Sequence, residues 1–188
     1  TMSTLFVNNL NTASGSDITV ASGKTIKAPG MIVQVQSGQT DTQVTKSSSL
    51  STFSDCGLAV TITPKYATSK ILITAQLNWG GVINIYAGIR LIRGSTFISN
   101  ATSATGAQTF ASLGCGGDND NFHYKLEHTA IQFLDSPATT NATTYKLQQQ
   151  SVGGPGTNTW YVNRPHNTTN AAYIVHGTSG MTVMEIAQ

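Results

Sequence analysis

The chain has 188 residues, a length typical of one domain, and charged residues make up only 10% of it, against about 25% in an average soluble domain. Threonine, serine and asparagine occur 28, 18 and 13 times and glutamate only twice, a composition that argues against a helical bundle and against an alternating βαβ enzyme. The net charge of +2 comes without a clustered basic segment, and no stretch reaches the roughly 18 apolar residues of a membrane span, so we expect no nucleic-acid or membrane partner.

Residues 1–30 differ from the rest of the chain. Short apolar groups at 5–7, at 18–20 and at residue 26 alternate with Asn, Ser and Gly, and Pro-Gly at 29–30 ends the segment. No basic segment precedes a long apolar one, so we expect no signal peptide. We predict an extended N-terminal arm over 1–30 that orders on a neighbouring subunit or partner protein; a floppy tail is the alternative. The residues predicted to attach it to that partner are Leu5, Phe6, Val7, Ile18 and Val20.

From residue 31 to 188 the pattern is one of strands separated by turn residues. Apolar or alternating segments predict strands over 31–36, 57–63, 70–79, 82–92, 96–98, 130–135, 144–149, 159–163, 172–176 and 181–186. No segment of ten or more residues has a helical period. We therefore predict an all-β fold, an antiparallel β-sandwich of jelly-roll-like or immunoglobulin-like order, over residues 31–188. Two irregular stretches, 100–121 and 150–158, should lie at one edge or end of it.

Candidate metal ligands are sparse. Asp118 and Asp120 begin a run that resembles half a calcium loop, but the following glycine and the distant glutamate are missing, so a solvated turn is the simpler interpretation. The sequence spacing of the histidines does not indicate a zinc site. Only the tertiary fold could bring them together as ligands: His123, His128, His166 and His176. We predict no metal and no cofactor. Cys56 and Cys115 are interpreted as free thiols, with a single bridge as the alternative.

Catalytic motifs are equally weak. Ser179 lies in the sequence HGTSG, but a nucleophilic serine in such a context needs a helix behind it, whereas a predicted strand follows directly. We interpret this segment as a turn. No paired carboxylates and no glycine-rich phosphate loop between a strand and a helix are found, so we expect the chain not to be an enzyme.

Several segments together resemble a family of tailed-phage virion proteins found among phages of cyanobacteria and marine bacteria. They are STLFVNNLN near the start, then DITVASGKTI, APGMIVQVQS, GLAVTITPKYATSKILI and the final TVMEIA. The strongest matches are TITPK at 61–65, SKILI at 69–73 and MEIA at 184–187. The segments span residues 3–187, with the middle similar in pattern, and the resemblance implies a trimeric β-sandwich knob without catalytic residues.

The family includes head-decoration and tail-fibre proteins, and the short arm favours a head-decoration role. A tail fibre usually adds an attachment domain and a shaft, whereas an arm followed by a knob suits a homotrimeric capsid decoration (cement) protein bound to the major capsid protein. We expect it at the virion surface, after assembly in the bacterial host cytoplasm. The alternatives are a receptor-binding tip on a tail-fibre or tailspike shaft, or a sandwich that binds host surface glycans through Trp160, Tyr161 and Tyr173.

Overall fold

The computed structural model describes residues 22, 26–47, 52–82, 85–99, 101–103, 111–117, 122–153 and 159–188. They form eleven strands and one short 3-10 helix, Phe122–Tyr124, with no α-helix in these ranges. No helix in the described part is long and apolar enough to span a membrane. The strands are β1 (Ile32–Thr40), β2 (Val44–Ser47), β3 (Ser54–Ile62), β4 (Lys70–Gly81), β5 (Ile85–Arg93), β6 (Thr96–Phe97), β7 (Leu113–Gly117), β8 (Glu127–Asp135), β9 (Thr143–Gly153), β10 (Thr159–Val162) and β11 (Ser179–Ile186).

The strands make two antiparallel sheets that pack face to face, which confirms the predicted β-sandwich. In the first, sheet A, the long strand β4 lies between β11 and β8, and β1 lies outside β11. Strand β10 pairs with the last residues of β4 and carries β2 on its other side. In the second, sheet B, β9 lies between β3 and β5, and both β6 and β7 pair with β5.

The core forms because apolar residues alternate along the long strands and meet between the sheets. Sheet A contributes every second residue of β4 from Ile71 to Trp79, and sheet B contributes the alternate residues of β3, β5 and β9. Trp79, Trp160 and Tyr145 are the largest fully buried side chains. The period-two pattern of the sequence therefore specifies which face of these long strands is buried.

One predicted strand is wrong and two were missed. Residues 172–176 form no strand but belong to the irregular segment 163–178, where Tyr173 and Val175 stay exposed because no neighbouring strand receives them. Strands β2 and β7 lie in segments rich in Thr, Lys, Ser and Gly, whose pairing comes from main-chain hydrogen bonds with β10 and β5 rather than from an apolar pattern. The stretch 100–121 is accordingly not all irregular.

The segment before β1 is tied to the end of β11. The Gly30 amide donates to the carbonyl oxygen of Ala187 at 2.8 Å, and the Ala187 amide donates to that of Met31 at 2.9 Å. The predicted turn is present, with Gly30 at a φ of 81°, a value that glycine adopts without strain. Lys27 lies over the Tyr66 ring, 4.5 Å from its centroid. The end of the predicted arm thus rests on the sandwich; the five predicted attachment residues lie outside the described residues.

Candidate functional surfaces

A buried carboxylate joins three distant parts of the chain. Glu185 lies on the inward face of β11 and is fully buried. Its carboxylate accepts hydrogen bonds from the main-chain amides of Lys65, at 2.9 Å, and Tyr66, at 3.0 Å. The side chain of Gln34, on β1, donates to it at 2.6 Å. Glu185 therefore fixes the loop between β3 and β4 against both β1 and β11.

The protonation state of Glu185 follows from these contacts. Burial works to raise the pKa of the carboxyl, because a charge is costly in an apolar environment. Hydrogen bonds from the Lys65 amide, the Gln34 side chain and the Tyr66 amide outweigh that effect, and the pKa of Glu185 lies below its usual value. The carboxylate is thus held in its charged form as a structural anchor.

A second buried carboxylate ties the two sheets together at the same end. Asp135 is the last residue of β8 and lies across Ile71 of β4 from Glu185. Arg93, on β5 of sheet B, donates to both of its oxygens at 2.9 Å, and the Tyr145 hydroxyl donates to it at 2.7 Å. Burial, followed by the hydrogen bond and the negative charge of Asp135, raises the pKa of Tyr145. This group closes one end of the sandwich.

Ser179 belongs to a polar network at the opposite end of sheet A. It is fully buried, its hydroxyl donates to Oδ1 of Asn163 at 2.7 Å, and it accepts from the Asn78 amide at 3.0 Å. Asn163 has a φ of 63°, and its side-chain Nδ2 donates to the main-chain carbonyl oxygens of Thr40 and Thr42, both at 3.0 Å. The hydroxyl therefore positions the Asn163 loop, in the interior of the protein and away from solvent.

Two of the four histidines lie side by side, and the other two lie apart from them, so the four do not form a metal site. The rings of His123 and His166 are 6.4 Å apart between centroids and meet edge to face. Burial, followed by the positive charges of His123 and Arg164, lowers the pKa of His166. His128 contacts Asn78, and His176 contacts Gln43. No group of three or more potential metal ligands occurs in the described ranges; Asp118 and Asp120 lie outside them.

The aromatic residues considered for sugar stacking are mostly buried. Trp160 is fully buried, and Tyr161 is buried between the ring of His166, stacked at 5.4 Å, and the guanidinium of Arg164, at 4.0 Å. Tyr173 is 64% exposed and meets the Tyr124 ring edge to face at 5.8 Å. Of the three, only Tyr173 is available to a ligand.

The outer face of sheet A carries a shallow groove of about 720 Å³ that crosses β1, β11, β4 and β8. Hydroxyl and amide side chains line it, and the small residues Gly180 and Ala130 leave room between them. Beside the groove, Val35, Met184, Leu72 and Leu134 lie directly opposite one another on the four adjacent strands. These four residues, the apolar row, give the outer face of sheet A an apolar part beside its polar groove.

No model of a protein family matches this sequence, and no curated protein is significantly similar to it.

The sequence analysis did not identify the buried carboxylate of Glu185 as a structural anchor. A signal was available, since Glu185 occupies an inward position in the alternation of β11 and is one of only two glutamates in the chain. A charged residue at a core position indicates that other groups of the chain bind it by hydrogen bonds or ion pairs, although the sequence does not say which groups.

Proposed function

We propose that the chain is a non-enzymatic virion structural protein, a homotrimeric decoration (cement) protein on the outer surface of a phage head. Its partner is the major capsid protein, and the arm over residues 1–30 provides the attachment through Leu5, Phe6, Val7, Ile18 and Val20. A Leu or Phe that becomes buried on docking contributes about 1.5–3 kcal/mol, and three arms in one trimer add their effects through avidity.

The observation that carries the proposal is the meeting of the resembling segments at Glu185. Gln34 comes from the segment APGMIVQVQS, Lys65 from TITPK and Glu185 from MEIA, and one carboxylate joins all three. The three segments are far apart in the chain and meet at one end of the sandwich. Their contact supports reading the resemblance as a shared knob architecture, in which these residues hold the sandwich together.

The use of the buried polar groups supports a structural role. Glu185, Asp135 and Ser179 are the acid and hydroxyl groups that a catalytic interpretation would draw on, and each is enclosed by hydrogen bonds that fix loops or join sheets. A rigid knob of this kind suits a protein that bridges capsid subunits. Because it binds only the assembled shell, it stabilises that shell by mass action against internal pressure from packaged DNA.

The test is the number of copies per particle. Virions of the phage that encodes this sequence are purified, and the chain is quantified by mass spectrometry against two internal standards, the major capsid protein and a tail protein of known stoichiometry. We expect hundreds of copies, in fixed ratio to the capsid protein. A few tens of copies or fewer would place the chain on a tail appendage and contradict the decoration role.

Tyr173 favours the alternative, binding of a host surface glycan at a fibre tip. An exposed tyrosine supported edge-on by Tyr124 offers a flat surface of the kind that stacks on a sugar ring. If that function is correct, the purified chain binds host cell-surface polysaccharide and Tyr173→Ala abolishes the binding. The matched control is Tyr86→Ala, which removes another exposed tyrosine on sheet B.

A further inference from the structure

The apolar row is an unbroken apolar band across four strands on the outside of the molecule. Val35 pairs with Met184, Met184 with Leu72, and Leu72 with Leu134. The two end members, Val35 and Leu134, are 49% and 46% exposed in the single chain. Ile32, opposite Ile186, extends the band by one further row and is also exposed. A contiguous exposed patch of this kind marks an interaction surface more often than a scattered set of apolar residues does.

Charge is nearly absent from this face. Among the outward residues of β1, β11, β4 and β8, Lys70 is the one Lys, Arg, Asp or Glu; it is the first residue of β4 and lies beside Ile186, at the end of the face. His128, on β8, lies at the opposite end. Between them the outward residues are apolar, small, or carry hydroxyl and amide groups, such as Gln39, Gln76 and Thr182 beside the groove. A surface with so little charge can pack against other copies of the chain with little like-charge repulsion.

The outer face of sheet B provides a comparison within the same molecule. There Lys146 forms an ion pair with Asp55 at 2.9 Å, and the Gln148 side chain donates to Asp55 at 2.7 Å. The Arg90 guanidinium lies over the ring of Phe53, 3.5 Å from its centroid, so this face covers some of its apolar surface by itself. Sheet B thus has the mixed, charged exterior of a solvated sheet, and sheet A does not.

The size of the face agrees with a subunit contact. Four strands about 4.8 Å apart and about eight residues long at 3.3 Å each give a footprint of about 500 Å². Around a three-fold axis each subunit shares this face between two neighbours, so the three faces together bury about 1,500 Å² in the trimer. The apolar row also has to be covered before the protein reaches the shell. A decoration protein that binds only the finished shell has to stay soluble in the host until then, and an exposed apolar row promotes aggregation.

We propose that the outer face of sheet A is the contact between copies of this chain, with the apolar row packed against the other subunits of the trimer and the polar groove beside it. This inference rests on the homotrimer of the proposed function and names its interface. Hydroxyl and amide groups of the groove supply hydrogen bonds across the contact, while the apolar row supplies the buried area that excludes water.

The first experiment measures the mass of the full chain in solution by light scattering. We expect three times the chain mass of 19.8 kDa for the unaltered protein, and loss of the trimer to the monomer mass in Leu134→Lys, because the lysine charge would be buried without a partner. The matched control is Tyr86→Lys, which places the same charge at a residue that is 47% exposed on the outer face of sheet B. This control should remain a trimer.

A second measurement keeps the proposal falsifiable if the lysine variant fails to fold. Val35→Cys and Tyr86→Cys are each reacted with a maleimide in the native assembly, and the unaltered chain reports any background from Cys56 and Cys115. We expect the cysteine at 35 to be protected and the cysteine at 86 to react. After dilution or mild denaturant has dissociated the trimer, both should react.

The outcomes separate this inference from the function on which it rests. An unaltered chain that is monomeric contradicts the trimer and the interface together. A trimer that survives Leu134→Lys, or whose cysteine at 35 reacts as fast as the one at 86, contradicts the interface alone. The interface is also contradicted if the cysteine at 35 reacts in the free trimer and becomes protected only on phage particles, since the face would then bind the capsid.

Discussion

Both carboxylate oxygens of Glu185 lie 2.9 Å from the main-chain nitrogen of Lys65, which precedes it by 120 residues. The contact crosses from β11 to the loop after β3, and Gln34 on β1 completes it. Among single substitutions only one to proline removes a main-chain N–H donor, whereas many remove the carboxylate acceptor. We therefore test the effect of this contact on stability by substitutions at residue 185.

Replacing Glu185 by glutamine should destabilise the fold. The neutral amide keeps one acceptor oxygen but turns an NH2 group toward amides that can only donate. Hydrogen bonds to charged groups contribute about 1.5–3 kcal/mol, and we expect a loss of that order. Thermal unfolding at fixed protein concentration measures it. The control is Glu127→Gln, at the chain's other glutamate, which is only partly buried; equal midpoints for the two variants would refute the anchor role.

The same residue predicts how stability depends on pH. Because the pKa of Glu185 is lowered in the folded state, its contribution is fully present above the pKa of an unfolded glutamate, about 4.3, and is lost as pH falls through the folded value. The difference in stability between the unaltered chain and Glu185→Gln should be large at pH 7 and shrink below about pH 4. Denaturant unfolding at a series of pH values checks this, and a pH-independent difference would count against it.

Removing the hydroxyl of Ser179 should weaken the fold without affecting any chemistry. Ser179→Ala leaves the Asn78 amide and Oδ1 of Asn163 without their partner in the interior. A buried group left unsatisfied costs about 1–3 kcal/mol. The neighbouring exposed residue gives the control, Thr178→Ala, which we expect to be near neutral. Unfolding midpoints of the two variants decide the matter, and an unchanged midpoint for Ser179→Ala would show that the network is dispensable.

The arm should be needed for attachment and not for folding. Deleting residues 2–25 keeps Lys27 and the hydrogen bonds of residues 30 and 31 to Ala187. On the proposed decoration role, we expect the truncated trimer to melt near the intact one and to fail to bind particles stripped of the native protein. Binding at full occupancy would assign attachment to the sandwich. Failure to fold would make the arm part of the trimer core and move the boundary at residue 30.

The sequence predicted the strands whose side chains alternate and failed where pairing depends on the main chain. The alternation from Ile71 to Trp79 reveals both the strand and its buried face. The continuation of β9 through Gln149 and Ser151, and the whole of β2, carry no comparable pattern, because hydrogen bonds to a neighbouring strand accept any side chain. The hydrogen-bond partner of Glu185 could not be predicted from the sequence for a related reason, since a contact between residues 120 positions apart depends on the order of the strands.

The position of β11 has a consequence for how the protein is made. This strand, residues 179–186, lies between β1 and β4, so the neighbours on its two sides are synthesised long before it. Until it arrives, β1 lacks its partner and β4 keeps an open edge. Sheet A therefore cannot close during translation, and we expect the chain to fold slowly and as one unit once β11 has left the ribosome. An open strand edge exposed during this interval is a site for aggregation.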